Sequence, residues 1–207
     1  VVHEADALEW LAAHELPTGA AIATSLPSFD EFGHRDPVRW RAWFVDAARL
    51  VLDRTPRDSA ALFFQTDVKH EGRWIDKSHL VQLAADAAGA RLVWHKVALR
   101  APAGTTTNRR PGYAHLLCFA KELLDAPDAA SADVLPGLGE MTWSRAVGLD
   151  VARFAVAWLR DHAGARVIVD PFCGVGTLLA VANALGLDAV GVERNPGRAA
   201  KARALWV

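Results

Sequence analysis

Two acids and two glycines late in the chain have the types and the spacing to hold a nucleoside. Val167-Ile168-Val169 is a short apolar, β-branched run that reads as a buried strand. It ends in an acid, Asp170, and the loop Pro171-Phe172-Cys173-Gly174-Val175-Gly176-Thr177 follows before helical spacing begins. Glycine lets backbone approach a ligand where a Cβ would clash. The start of the following helix offers free N–H groups to that ligand. A second apolar run, Ala189-Val190-Gly191-Val192, ends at Glu193, 23 residues after Asp170. An acid at the tip of the second strand of such a unit is placed to accept hydrogen bonds from ribose hydroxyls.

The residues also discriminate among nucleoside ligands. A dinucleotide fingerprint needs a third glycine where Leu179 stands, and no Gly-Lys-Ser/Thr phosphate loop occurs. An acid immediately before the loop would repel a pyrophosphate but suits the ammonium of a bound amino acid. S-adenosylmethionine is therefore expected rather than NAD, with Asp170, Pro171, Phe172, Cys173, Gly174, Gly176, Thr177 and Glu193 around it. Asp-Pro-Phe-Cys-Gly-Val-Gly-Thr resembles the first motif of S-adenosylmethionine-dependent methyltransferases, in the wording used by the amino-methyltransferases of DNA and RNA bases. Gly191-Val192-Glu193-Arg194-Asn195 is similar to that family's second motif.

The elements that must position these residues are spread along the chain. With 52% hydrophobic residues among 207, a large core is within reach. Apolar runs predict strands at 20–24, 60–65, 91–99, 114–119, 167–169 and 189–192. Helical spacing predicts helices at 5–14, 37–53, 78–88, 148–160, 177–185 and 196–205, with Trp40, Phe44, Ala47, Ala48 and Val51 on one face of the second. Residues 122–140 read as a surface linker. The strands at 91–99 and 114–119 leave no room for a helix between them, which predicts an antiparallel pair at a sheet edge. The expected fold is a single α/β domain over residues 1–207, doubly wound and mostly parallel with an antiparallel edge strand. Only 14 residues follow Glu193, so the remaining strands are expected from residues 1–121. The acceptor half would then be encoded first (1–121) and the cofactor half last (141–207), a permuted order.

The permuted base amino-methyltransferases share this order, and the resemblance extends over nearly the whole chain. It implies that Asp6, in the segment 2–11, contacts the adenine side of the cofactor. It places Ser25-Leu26-Pro27-Ser28 where the family has its catalytic Ser/Asp-Pro-Pro-Tyr loop, so Ser25 and Pro27 are the expected catalytic residues. Leu26 replaces the first proline and Ser28 the aromatic, leaving Phe29 as the nearby ring for stacking on an acceptor. Val93-Trp94-His95-Lys96 and the run from His115 to Lys121 resemble two further strands of the family. Thr142, in Thr142-Trp143-Ser144, falls where the family closes over the methionine end of the cofactor.

Weaker signals concern the acceptor. Gln65-Thr66-Asp67-Val68-Lys69-His70 follows a strand and should face the active-site crevice. Arg100, Arg109 and Arg110, with Tyr113, form a basic loop suited to phosphates. The net charge of -1 argues against a globally basic nucleic-acid surface, so such contacts would be local. A nucleic-acid acceptor is expected, RNA ahead of DNA because no separate recognition domain is visible; the chain could also pair with a second copy. The two cysteines form no disulfide framework, no His/Cys spacing suggests a metal, and no run is long enough to cross a membrane, so a cytoplasmic location is expected. A small-molecule methyltransferase, a nucleotide-binding oxidoreductase and a catalytically inactive cofactor-binding module remain as alternatives.

Overall fold

A computed structural model describes residues 1–31, 36–108, 110–122 and 131–207. In chain order the strands are β1 (Val2–His3), β2 (Ala20–Thr24), β3 (Ala60–Gln65), β4 (Val68–His70), β5 (Arg73–Ile75), β6 (Arg91–Leu99), β7 (Tyr113–Ala120), β8 (Val134–Leu135), β9 (Val167–Asp170) and β10 (Asp188–Val192). The helices are α1 (Ala7–Ala13), α2 (Pro37–Arg54), α3 (Lys77–Ala88), α4 (Leu149–His162), α5 (Thr177–Ala184) and α6 (Pro196–Ala204).

Eight strands form one sheet in the order β1-β10-β9-β2-β3-β7-β6-β8. β1, β10, β9, β2 and β3 pair in parallel, and β7 runs antiparallel to both β3 and β6. β2, β3 and β9 are buried along their whole length, which is why they read as unbroken apolar runs rather than alternating ones. Ala21, Leu62 and Ile168 pack toward α4 and α5, while Ile22, Phe63 and Val169 pack toward α2 and α3 with Trp40 and Phe44. The helix that follows β9 thus covers one face, and the one that follows β2 covers the other. Neighbouring strands with helices on opposite faces open a crevice at their C-terminal ends, the expected ligand position in such sheets.

The predicted strands and helices form with shifts of one or two residues at their ends, and β9 lies between β10 and β2 as the order of segments required. Four short strands escape the sequence pattern. β1 is two residues long and adds a parallel edge beside β10. β4 and β5 form a hairpin whose turn residues, Glu71 and Gly72, both have positive φ (48° and 74°), a mirror-image turn without the usual Asn or Asp at its first position. β8 lies inside the stretch read as a linker and pairs with Val97 and Ala98, so the outermost strand at that end is β8 and the reversed strand β7 sits inside the sheet. Among the described residues, no helix is long and apolar enough to cross a membrane.

Gly191 lets the loop after β9 pack onto β10. A Cβ there would clash with Leu179 Cδ1 and meet Cys173 Sγ at 2.8 Å and Cys173 Cβ at 3.0 Å. Gly191→Ala is therefore expected to lower stability by about 1–3 kcal/mol through overpacking and to displace Cys173. Chemical denaturation checks the first effect, and a change in Cys173 thiol accessibility checks the second.

Candidate functional site

The C-terminal ends of β9, β10 and β2 surround a cavity of about 550 Å³, within the ordinary size for a cofactor site. Asp170 ends β9 at 3% exposure and lines this cavity. Thr24 donates its hydroxyl to Asp170 Oδ1 at 2.7 Å, and the Phe172 N–H donates to the same oxygen at 3.1 Å. Oδ2 takes no hydrogen bond from the described residues. Burial pushes the Asp170 carboxyl up to about 7; the two hydrogen bonds work against that, and the nearby Glu193 adds to it. A carboxyl held in this state gains most from a cation delivered to its free oxygen.

Glu193, 9% exposed, follows β10 across the same cavity. Its Oε1 accepts the Asn195 N–H at 2.7 Å, which fixes the carboxylate and leaves Oε2 for a ligand. Asn195 in turn caps α6 by accepting the Arg198 N–H. Two acids at adjoining strand tips, each anchored through one oxygen, give the cavity a preference for cations and hydroxyl donors over phosphates.

The two glycines of the loop do different work. Gly174 has φ 56° and lines the cavity, where an added Cβ would touch only Trp143, at 3.7 Å. Gly176 has φ 87° and does not line it; its Cβ would strike Ala202 at 2.9 Å. The first keeps the floor open to a ligand, and the second lets α6 pack on the loop. Pro171, Phe172, Cys173 and Thr177 line the cavity beside Gly174. Burial pushes the Cys173 thiol well above its ordinary range, so it is no nucleophile. Thr142 reaches the site through Thr177, their hydroxyls 2.6 Å apart. Asp6 lines the cavity while one of its oxygens caps α1, accepting the Leu8 and Glu9 N–H groups.

Ser25, Leu26 and Pro27 form the opposite wall, and beyond them lies a second cavity of about 410 Å³. Ser25, Leu26, Asp30, Glu31, Arg145 and Ala146 border both cavities. Arg145 donates to Asp30 at 3.0 Å and pairs with Glu31 at 3.2 Å, tying the segment after β2 to the segment before α4. Arg198 approaches Glu31 at 3.8 Å and lies over the Trp143 ring. Arg100 and Arg110 line the second cavity. Arg109 lies outside the described residues. Phe29 borders the second cavity but is 6% exposed, held edge-on by Trp40 and against the His70 ring. It is an anchored residue in the wall of that cavity.

Several site residues carried no sequence signal. Glu31, Trp43, Arg145 and Arg198 come from separate segments, and nothing in their local patterns marks them. Lys77 was also missed. It stands in the first turn of α3, where a lysine usually faces solvent, yet it is 2% exposed and lines the second cavity. Asp67, within the segment 65–70, accepts from Trp74 Nε1 at 2.9 Å and from the Lys77 N–H at 2.9 Å, and lies 3.1 Å from His115 Nε2. His115 continues to His95 at 2.9 Å. Burial raises the Asp67 carboxyl, but its hydrogen bonds from His115, Trp74 and Lys77 outweigh that and hold it below the usual range. Side-chain ligand atoms of Asp67, Asp76 and His115 fall within 4.8 Å of one another. Asp67 and His115 are hydrogen-bonded to each other, while Asp76 accepts from the Ser78 hydroxyl and the His79 N–H.

No protein-family model matches the chain, and no curated protein sequence does. Solved structures do. A putative DNA modification methylase from Thermus thermophilus, complexed with S-adenosyl-L-methionine, superposes with a TM-score of 0.76 at 18% identity over 98% of this chain and 92% of that one. PvuII DNA methyltransferase, cytosine-N4-specific, gives 0.75 at 14% identity over 98% and 84%. The M1.HpyAVI complex with S-adenosylmethionine gives 0.65 at 13% identity over 98% and 97%. At these identities the likeness is one of fold: the chain is built as these methylases are, an α/β domain with a mostly parallel sheet.

Proposed function

We propose that this chain is an S-adenosylmethionine-dependent methyltransferase acting on a base of a nucleic acid, with its acceptor half ahead of its cofactor half in the permuted order. The observation that carries this reading is the pair of adjoining cavities with one shared wall. One is lined by two anchored acids and a glycine loop. The other is bordered by Ser25, Leu26, Lys77, Arg100 and Arg110.

The first cavity fits the cofactor's chemistry. The free oxygen of Asp170 suits the cofactor's ammonium, and the free oxygen of Glu193 suits its ribose hydroxyls. Gly174 leaves room for close approach, with Asp6, Pro171, Phe172, Cys173 and Thr177 around it, Thr142 bracing Thr177 and Gly176 seating the loop on α6. When bound, S-adenosylmethionine supplies an activated methyl group on a positively charged sulfur. The protein's own contribution is positional: it holds donor and acceptor in line and keeps water from between them. Ser25 can accept a hydrogen bond from the acceptor group, and Pro27 stiffens the wall behind it.

Arg100 and Arg110 are assigned to phosphates at the rim of the second cavity. Burial and the neighbouring Arg110 both disfavour the charge on Arg100, a cost that an incoming phosphate would relieve. The names of the solved neighbours give DNA priority as the polymer to test, and nothing in them supports the preference for RNA drawn from the sequence. Unmethylated DNA, total RNA and a low-molecular-weight extract, each incubated with labelled cofactor and analysed as nucleosides by mass spectrometry, test this reading. Label in a base amino group of DNA or RNA is expected. Label confined to the small-molecule extract would transfer the assignment to a small-molecule methyltransferase. The paired substitution Arg100→Ala with Arg110→Ala is expected to reduce the slope of log binding constant against log salt by roughly two contacts' worth, about 1.8, while cofactor affinity stays unchanged.

A further inference from the structure

Lys77 is buried, borders the acceptor cavity and, among the described residues, lacks the partners a buried ammonium needs. Its Nζ makes one hydrogen bond among the described residues, to the Leu26 carbonyl at 3.4 Å, near the limit of the interaction. It lies 5.2 Å from the centre of the Phe44 ring and has no carboxylate within ion-pair distance among the described residues. An ammonium presents three donors, and the described residues offer this one a single long hydrogen bond, so burial disfavours the charged form. Lys77 lines the second cavity, and its one acceptor, Leu26, belongs to the wall that the two cavities share.

The charged groups around it come from three connections. Asp30 and Glu31 follow β2, Asp67 follows β3, and Arg110 belongs to the loop between β6 and β7. The carboxylates favour the ammonium and Arg110 opposes it, but Asp30 and Glu31 are taken up by Arg145 and Asp67 by His115 and Trp74. Burial dominates and draws the Lys77 amine down from 10.5 to about 8. A sulfonium in the neighbouring cavity would disfavour its charge further.

Given the methyltransferase reading, on which this inference rests, we propose that the Lys77 amine is the base that takes the acceptor's proton. Methylating an N–H or O–H group leaves a proton to be removed, and the loop Ser25-Leu26-Pro27-Ser28 carries no acid to take it. The acceptor's lone pair bonds the donated methyl carbon, and the carbon–sulfur bond breaks with its electron pair remaining on sulfur. The acceptor's proton passes to the Lys77 lone pair, and the resulting ammonium releases it to solvent in the cavity. A buried amine can do this near neutral pH where an exposed lysine cannot.

The first test needs no acceptor. With 13C at the lysine ε-carbons, the five lysines can be titrated by NMR, the Lys77 resonance being the one lost in Lys77→Arg. A midpoint near 8, lower with S-adenosylmethionine bound than with its demethylated product, is expected; a midpoint near 10.5 in every state overturns the proposal. The second test measures transfer to unmethylated DNA and total RNA. Lys77→Arg, which cannot lose its charge, should slow transfer by about 100-fold or more while calorimetry shows unchanged cofactor affinity. Wild-type rate should rise with pH up to about 8, and added ethylamine should partly restore Lys77→Ala. If arginine does not fold at this site, Lys77→Met keeps the apolar stem and takes its place. Wild-type transfer by Lys77→Arg or Lys77→Met overturns the proposal even if Lys77 titrates near 8. Failure of the wild-type protein to bind S-adenosylmethionine would instead overturn the cofactor reading beneath it.

Discussion

Asp170→Asn is expected to weaken S-adenosylmethionine binding by about 100-fold, roughly 3 kcal/mol, in a protein that still folds. The substitution keeps an oxygen for the Thr24 hydroxyl and the Phe172 N–H, so the local hydrogen bonds survive. It places an amide N–H where the free carboxylate oxygen would meet the cofactor's ammonium, turning an attraction into two opposed donors. The pH dependence follows from the raised carboxyl. Wild-type affinity should climb about tenfold per unit up to about 7 and then level, because only the carboxylate pairs with the ammonium. The ligand-free protein should show the opposite trend. A folded-state value raised from 3.8 to about 7 means that the native state holds the proton more tightly than the unfolded chain does. That contribution to stability is complete below about 4 and is lost as pH rises through about 7. Asp170→Asn should remove both dependences, so calorimetry and thermal melting from pH 5 to 8 check the assignment together. An affinity that ignores pH in the wild type would mean that Asp170 does not meet a cation.

Glu193→Ala is expected to cost at least tenfold in cofactor affinity, since hydrogen bonds to a charged group contribute about 1.5–3 kcal/mol. The loss should show mainly with ligands that carry both ribose hydroxyls. Against 2′-deoxy analogues, which already lack one of them, the wild-type advantage should shrink. Glu193 also holds the Asn195 N–H, so Glu193→Gln, which keeps that acceptor, separates ribose binding from positioning of α6. Equal affinities for wild type and both variants in isothermal titration would remove Glu193 from the site.

How much of this was readable beforehand depended on whether the residues were consecutive. β9, the loop, α5 and β10 follow one another, so strand, acid, glycines and second acid lie in one stretch of sequence in the order in which they are used. The neighbours of β9 were also readable, because two strands cannot make a sheet alone and the buried run at 20–24 was available beside them. The glycine pair was legible as a pair, but not the division of labour within it: only the packing of Ala202 against Gly176 shows that this glycine serves α6. Phe29 was singled out as an aromatic near the loop, and only Trp40 and His70 reveal that it is held in place. β1 and β8 are two residues each, too short for any periodicity. Lys77 follows the α3 cap Asp76, where local pattern predicts exposure; Leu26 and Phe44, 51 and 33 positions earlier, are what bury it.

Calorimetric titration of the purified protein identifies the ligand of the cavity between β9, β10 and β2. S-adenosylmethionine and its demethylated product should each bind one per chain with a dissociation constant on the order of micromolar, and NAD should give no heat. NAD binding with no response to S-adenosylmethionine would overturn the methyltransferase assignment and make the chain a nucleotide-binding oxidoreductase.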